Sequence, residues 1–341
     1  MTFHIQLTTL DGQPLSFDCA ADQDLLVAAD EANITLPSQC RKGSCGACHA
    51  TVTAGEYRLH DYNPDALRTD QTSAILLCRT TPCSDLHVAL PYDHSKVLLT
   101  SVPQRVATIA SLETLTPSTV RLEVQLDPDE DGGCAAEFEP GQFMELEIPG
   151  TEERRPFSLA NTSNWDGRLE FLIGLQPGGR FSGFLSERAQ PGHKLKVRGA
   201  LGGFGLRQGS LRPRWFVAGG TGLAPMLSML RRMDEYQEMQ DVRLFFGVNR
   251  ESDLFMLDEI ERLKAQLPQL QVDLCVWKPE GNWRGFCGTP ADALRAALAT
   301  SGLQADIYVC GPPSLIRAAE KVVVEAGLPA EQFESERFVA G

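Results

Sequence analysis

Cys40-Arg-Lys-Gly-Ser-Cys45-Gly-Ala-Cys48 is the stretch that decides the reading of this chain, and Cys78 answers it downstream. The spacing is C-x4-C-x2-C, then twenty-nine residues, then the fourth cysteine. Three thiolates in one tight loop plus a distant fourth match the spacing that holds a [2Fe–2S] cluster. Two irons need four thiolates between them, so the loop has to curl around the metal. Gly43 and Gly46 let the backbone make that curl and turn N–H groups toward the sulfurs. A structural zinc site and reduced core cysteines are the plainer alternatives. Zinc sites usually pair two short knuckles, and here only Cys45 and Cys48 form one. The spacing favours iron and sulfide.

Around this loop, residues 1–97 read as a small α+β unit. Thr2–Thr9 and Pro14–Cys19 alternate like strands about an Asp11-Gly12 turn. Asp22 is placed to cap a short helix whose apolar positions Leu25, Leu26, Ala29 and Ala32 share a face. His49–Thr53 and Leu86–Leu90 are further strands, and Cys78 ends the apolar run that begins at Ala74. Over nearly its whole length this block resembles a plant-type ferredoxin, a mixed sheet crossed by a helix with the metal loop at one edge.

Residues 98–208 carry short alternating stretches at Arg105–Ala110, Thr119–Leu126, Phe143–Ile148 and Leu169–Leu175. Glu139-Pro140-Gly141 and Pro149-Gly150 punctuate them, which predicts an antiparallel β-barrel. Residues 209–341 alternate buried strands (Trp215–Ala218, Arg243–Val248, Gln271–Val276, Asp306–Cys310) with helical patterns at 225–238, 257–266, 290–299 and 313–326. That alternation predicts an α/β doubly wound parallel sheet. The chain is therefore read as multidomain, with boundaries near 97/98 and 208/209.

Composition agrees with folded domains, since 43% of the 341 residues are hydrophobic and 22% charged. A net charge of −14 argues against nucleic acid and anionic membranes as partners. The sequence has no apolar run of about 18 residues, and its first residues alternate rather than forming a leader. A cytoplasmic protein is expected. The other six cysteines, Cys19, Cys83, Cys134, Cys275, Cys287 and Cys310, show no disulfide framework and read as reduced thiols.

Two runs in the second block carry binding chemistry. Arg154-Arg155-Pro156-Phe157-Ser158-Leu159-Ala160-Asn161 offers a guanidinium for a phosphate, a ring for a flat cofactor and a hydroxyl for a ring nitrogen. By itself it is also an ordinary strand. Gly178-Gly179-Arg180-Phe181-Ser182 precedes a helix-like segment at Phe184–Arg188 and suits a pyrophosphate, or is a plain turn with a capping serine. In the third block a strand runs into Gly219-Gly220-Thr221-Gly222-Leu223-Ala224-Pro225 and then a helix, the context in which a glycine-rich turn binds a dinucleotide. Pro225 stands where the fingerprint has its third glycine, and a first helical turn tolerates it. Cys310-Gly311-Pro312-Pro313 ends a strand at the sheet's carboxyl edge, where α/β ligands bind. A buried cysteine before a rigid turn is its simpler reading.

Together these runs resemble the ferredoxin–NADP reductase superfamily. That resemblance implies that Arg155 holds phosphate, Phe157 packs on the isoalloxazine and Ser158 hydrogen-bonds near flavin N5. Phe157 stands where tyrosine is commoner. It further implies pyrophosphate contacts from Gly179, Arg180 and Ser182, nucleotide contacts from Gly219 to Gly222 and Pro225, and Cys310, Gly311 and Pro312 beside the nicotinamide. Ser158 and Cys310 become the candidate catalytic residues. Phe338, after Glu336 and Arg337, would lie near the flavin or else belong to the core. Cys40, Cys45, Cys48 and Cys78 would hold the cluster.

Ferredoxin, flavin barrel and nicotinamide domain in that order resemble the three-domain NADH-dependent reductases of bacterial multicomponent oxygenases, across essentially the whole chain. Leu77-Cys-Arg-Thr80, Ser84-Asp-Leu-His87, Phe138-Glu-Pro-Gly-Gln-Phe-Met144, Leu169-Glu-Phe-Leu-Ile173 and Phe246-Gly-Val-Asn249 are most like the methane monooxygenase type. Reductases of benzoate-type Rieske dioxygenases share the plan. The resemblance implies FAD, a [2Fe–2S] cluster and NADH as cofactors, and an oxygenase protein as partner through the first domain. It also implies a free monomer in which NADH gives two electrons to flavin and the cluster passes them on singly. A non-enzymatic iron–sulfur sensor is the rival from another class and implies no NADH turnover. After Gly247, Glu251 and Asp253 predict a preference for NADH over NADPH, with Arg250 pulling the other way.

Overall fold

The computed structural model describes residues 1–67, 73–129, 131–207, 209–302 and 304–337. The chain divides into two compact units, Met1–Pro103 with Leu201–Gly203, and Gln104–Ala200 with Phe204–Gly341.

In the first unit, β1 (Thr2–Thr8) and β2 (Pro14–Ala20) form the anticipated hairpin, with Gly12 at φ +81° in the turn. Ile5, Leu7, Phe17 and Cys19 face the core while their neighbours face out, the period-two pattern of a half-buried sheet. Helix α1 (Leu25–Glu31) buries Leu25, Leu26, Ala28 and Ala29. Its cap is Asp24, whose carboxylate accepts the N–H of Leu26 and Val27, and not Asp22 as the sequence suggested. A capping side chain must stand directly before the first helical residue to reach those donors, and Asp22 comes two residues too early. Strands β3 (His49–Ala54), β4 (Tyr57–Leu59), β5 (Ala74–Leu76), β6 (Thr80–Pro82) and β7 (Leu86–Ala89) complete the unit. The main sheet runs β2-β1-β7-β3-β5, with β1 and β7 parallel and the other pairs antiparallel. Strands β4 and β6 form a separate ribbon. Their three residues are too few to show a period.

The second unit opens with six antiparallel strands, β8 (Gln104–Thr116), β9 (Thr119–Leu126), β10 (Phe143–Glu147), β11 (Arg154–Ser158), β12 (Arg168–Gly174) and β13 (Lys194–Leu201). Their order is β11-β10-β13-β8-β9-β12. A bridge from Leu159 to Phe171 joins the end of β11 to β12, so the sheet closes on itself around Ile109, Leu122, Leu146 and Phe171. Helix α2 (Arg180–Glu187) lies between β12 and β13.

The rest of the unit is an all-parallel sheet. Its elements are β14 (Arg214–Gly219), α3 (Leu223–Glu235), β15 (Val242–Val248), α4 (Leu257–Gln266), β16 (Leu270–Val276), β17 (Phe286–Cys287), α5 (Pro290–Ser301), β18 (Asp306–Gly311), α6 (Pro313–Glu325) and β19 (Phe333–Arg337). The order is β17-β16-β15-β14-β18-β19. Phe216, Leu244 and Leu227 pack on one face and Trp215, Phe245 and Ile307 on the other, as expected for strands covered on both sides. From β14 the chain winds outward to β16 and β17, then returns to the other side of β14 at β18. The crevice beyond the carboxyl ends of β14 and β18 is thus a topological switch point.

Candidate functional site

The metal loop carries Cys40, Cys45 and Cys48 as free thiols, and the free thiol of Cys78 meets it at Cys48. Its curl is made by left-handed residues, Arg41 at φ +52°, Gly43 at +75° and Gly46 at +79°. Gly43 is also pressed close, since a Cβ there would come within 2.8 Å of Arg79 Cγ. The curl aims N–H groups of Lys42, Ser44 and Cys45 at Cys40 Sγ, over 3.3–3.4 Å. Those of Cys40 and Ala47 point at Cys45 Sγ, at 3.5 and 3.4 Å. The Cys45 thiol, followed by these backbone donors, pulls the Cys40 thiol down to about 5, while the shared proton and burial push Cys45 up. Cys48 and Cys78 make a second pair with sulfurs 3.4 Å apart, in which Cys48 lowers Cys78 and is itself raised. Two pairs of thiols suit two irons that each take two cysteine sulfurs. A single tetrahedral zinc would draw all four to one point. The residues fit the cluster.

The flavin run is β11. Arg155 Nη2 donates to Glu153 at 3.1 Å, and Arg180 pairs with the other oxygen of the same carboxylate. Two guanidiniums from separate elements therefore converge on one anion, the donor set a pyrophosphate needs. Arg180 and Ser182 lie in the first turn of α2, whose N-cap is Gly179, preceded by Gly178 at φ +73°. Ser182 Oγ accepts the Gln176 N–H at 2.8 Å, so the hydroxyl also closes that turn. One side of the Phe157 ring meets Phe181, with centroids 5.1 Å apart, and the residue is half-buried. These residues fit a flavin nucleotide.

Ser158, at the end of β11, is buried, and its Oγ donates to Glu336 Oε2 at 2.8 Å. Glu336 stands across from Cys310 in the β18–β19 ladder. Burial pushes the Glu336 carboxyl up to about 7 against the pull of Ser158. Burial, then the charge of Glu336, raises the Cys310 thiol far above its usual range. The glycine turn is at the same place. Gly220 is at φ +55°, and a Cβ on Gly222 would fall 2.1 Å from the Cys310 carbonyl oxygen, so only glycine fits. A Cβ on Gly219 would come within 3.1 Å of Pro312. Pro225 is buried in the first turn of α3. The structure thus brings Ser158, Cys310, Gly311 and the 219–222 turn together at the switch point. Phe338 lies outside the described residues. Sequence reasoning missed Glu336 and Glu153. The first stands in the Glu336-Arg337-Phe338 run singled out for its aromatic residue. The second is three residues before Pro156 in a stretch read for its arginines.

A closed barrel, a parallel sheet whose switch point meets the barrel's Ser158, and a four-cysteine motif on the same chain are the features of a flavin- and iron–sulfur-dependent NAD oxidoreductase. Family models match in that order: the 2Fe-2S iron-sulfur cluster binding domain over residues 8–83, the oxidoreductase FAD-binding domain over 106–205 and the oxidoreductase NAD-binding domain over 216–321. The chain is 34% identical to the reductase component of propane 2-monooxygenase from Rhodococcus jostii (strain RHA1), covering 96% of this chain and 89% of that protein. It is 38% identical to methane monooxygenase component C from Methylosinus trichosporium, over 80% of each. The toluate 1,2-dioxygenase electron transfer component of Pseudomonas putida is 31% identical, covering 100% of this chain and 99% of that one. Among solved structures, the Amycolatopsis cytochrome P450 reductase GcoB superposes with a TM-score of 0.77 at 26% identity, over 98% of this chain and 99% of its own. This chain belongs to the family of reductase components of multicomponent oxygenases, and its cofactors are a [2Fe–2S] cluster, FAD and NADH. Among the described residues no helix is long and apolar enough to cross a membrane.

Proposed function

We propose that this protein is the NADH-dependent reductase of a soluble diiron monooxygenase of the methane or propane type. The observation that carries the chemistry is the meeting of Ser158, Glu336, Cys310 and the glycine turn at one switch point. The partner class is supported by likeness to the propane system over 96% of this chain and to the methane system over 80% of it. A second reading, the reductase of a Rieske aromatic-ring dioxygenase, is favoured by the likeness to the toluate system over the whole of this chain.

Three functional segments follow, 1–97 for the cluster, 98–208 for FAD and 209–341 for NADH. Bound there, FAD would supply two-electron chemistry toward NADH and the cluster one-electron transfer onward. Cys40, Cys45, Cys48 and Cys78 hold the iron, with the loop N–H groups tuning the sulfurs. Arg155, Arg180 and the amino end of α2 hold the pyrophosphate once Glu153 has turned away, and Ser182 orients the turn. Phe157 would pack on the isoalloxazine. Ser158 Oγ donates to Glu336 Oε2 and would be free to turn to a bound flavin, and Glu336, raised to about 7, can hold the exchanged proton near neutral pH. Cys310, protonated and buried, walls the nicotinamide pocket and excludes water. Thr221, Gly222, Pro225, Gly311 and Pro312 shape the nucleotide's path.

Glu251 accepts the Glu280 N–H at 3.1 Å and Asp253 the Arg250 N–H at 3.2 Å, so two carboxylates are pinned in the loop after β15. They oppose a 2′-phosphate and select NADH. The oxygenase docks on the first domain around the cluster loop, in the cytoplasm, with the reductase monomeric when free. The test is reconstitution with a purified hydroxylase component. NADH-driven hydroxylation by a diiron partner supports the first reading, and turnover only with a Rieske oxygenase supports the second.

A further inference from the structure

One stripe of α3 is bolted to the chain that leaves the flavin run. Positions 228, 231 and 235 fall on one helical face. Ser228 Oγ donates to the Asn161 carbonyl at 2.6 Å. Arg231 Nη1 donates to the Ala160 carbonyl at 2.9 Å and to Glu170 on β12 at 2.7 Å. Thr162 Oγ1 donates to Glu235. Three consecutive residues, beginning two after Ser158, are thereby tied to the helix that starts at the dinucleotide turn. Ser228 is fully buried, and Arg231, 14% exposed, is gripped from its other side by Glu259 at 2.7 Å.

Stability alone is a weak reason for this arrangement. Burying a guanidinium between two carboxylates costs desolvation, and an apolar contact of similar volume often stabilises as well or better. What hydrogen bonds to carbonyl oxygens add is definition, because they fix a position that apolar surfaces would let slide. Hydride transfer needs that definition, since reacting atoms must meet at roughly 3–3.5 Å and a 1 Å misplacement can cost about 100-fold. We propose that this face of α3 is the gauge that sets the separation between nicotinamide crevice and flavin face, and that Ser228 and Arg231 are positioning residues for hydride transfer. The inference rests on the hydride-transfer reading of the site given above.

The test uses full-length, cofactor-loaded protein carrying Ser228→Ala, Arg231→Met or Arg231→Lys. Anaerobic stopped-flow mixing with NADH, and with NADH deuterated at C4, gives the flavin reduction rate, its saturation constant and the isotope effect. The long-wavelength charge-transfer absorbance of chemically reduced protein with NAD+ reports ring apposition without turnover. We expect flavin content and NADH saturation close to those of the unmodified protein. The reduction rate should fall about tenfold in Ser228→Ala and about 100-fold in Arg231→Met, with part recovered in Arg231→Lys. The charge-transfer band should weaken, and the isotope effect should depend more steeply on temperature. Flavin-loaded variants that reduce at the original rate with an unchanged band would overturn the inference. So would a loss of rate that merely tracks loss of flavin. Should Arg231→Met not fold, Ser228→Ala, which removes one hydroxyl, decides the matter. If the unmodified protein itself fails to bleach its flavin with NADH, the hydride-transfer reading falls instead.

Discussion

The metal loop and the hydride site are built on opposite plans. Three of the four cysteines proposed to hold iron lie within nine residues, and the loop's own N–H groups serve the sulfurs. The proposed hydride site draws on β11, the β14–α3 turn, the end of β18, and β19, and its Ser158–Glu336 bond joins residues 178 apart. A contiguous site depends on its own turn geometry. A composite one depends on the registration of two packed domains, so it can be damaged from a distance.

The largest effect should come from breaking the contiguous site. Cys45→Ser replaces a buried thiolate donor with a poor one, and delivery to the oxygenase should be abolished. NADH-driven reduction of ferricyanide should persist, because no proposed hydride-site residue lies in the first unit. Loss of ferricyanide reduction in flavin-loaded Cys45→Ser protein would refute the order NADH, flavin, cluster, acceptor.

Next is Arg155→Ala, which removes one of the two guanidiniums that converge on Glu153. Charge-assisted hydrogen bonds are worth roughly 1.5–3 kcal/mol, so FAD affinity should weaken by about 10- to 100-fold, measured by titrating flavin-free protein. Both ferricyanide and oxygenase activities should fall together, in contrast to Cys45→Ser.

Glu336→Gln probes the composite site through pH. Glu336 titrates near 7 in the fold but in the ordinary carboxylate range when unfolded. Between those values the folded state binds a proton that the unfolded state has released. This group's contribution is therefore fully present at low pH and lost as pH rises through about 7, a fall on the order of 2–3 kcal/mol. Urea midpoints at pH 5 and pH 8 should differ less in Glu336→Gln than in the unmodified protein. An equal difference in both would mean that Glu336 does not hold the proton.

The smallest effect concerns the surface around the loop. Residues 1–97 carry six Lys and Arg against twelve Asp and Glu, a balance of −6. Raising ionic strength should lower oxygenase coupling a few-fold while leaving NADH–ferricyanide turnover unchanged, since exposed charges are screened beyond about 8 Å at 0.15 M. Coupling indifferent to salt would leave charge out of partner choice.

The same contrast explains what the sequence could disclose. The cysteine loop was legible because its chemistry and its curl are written in adjacent residues. The strands of the parallel sheet were legible because burial on both faces makes them continuous apolar runs, as in Trp215–Ala218. Strand β19 and its Glu336 were not, because Phe333-Glu-Ser-Glu-Arg337 is polar and becomes a strand only by pairing with β18. Likewise, the capping role of Asp24 over Asp22 depends on where the helix starts, which a run of apolar positions locates only to within a turn.

Cys310 has no accessible surface, and its thiol is held protonated. Oxidants and alkylating agents attack the exposed thiolate and spare a buried thiol. Cys310, across the ladder from Glu336, therefore sits in the form least open to attack. Cys83 and Cys287, by contrast, are exposed. The chain carries reachable thiols on its surface and a sheltered one in the core of its parallel sheet.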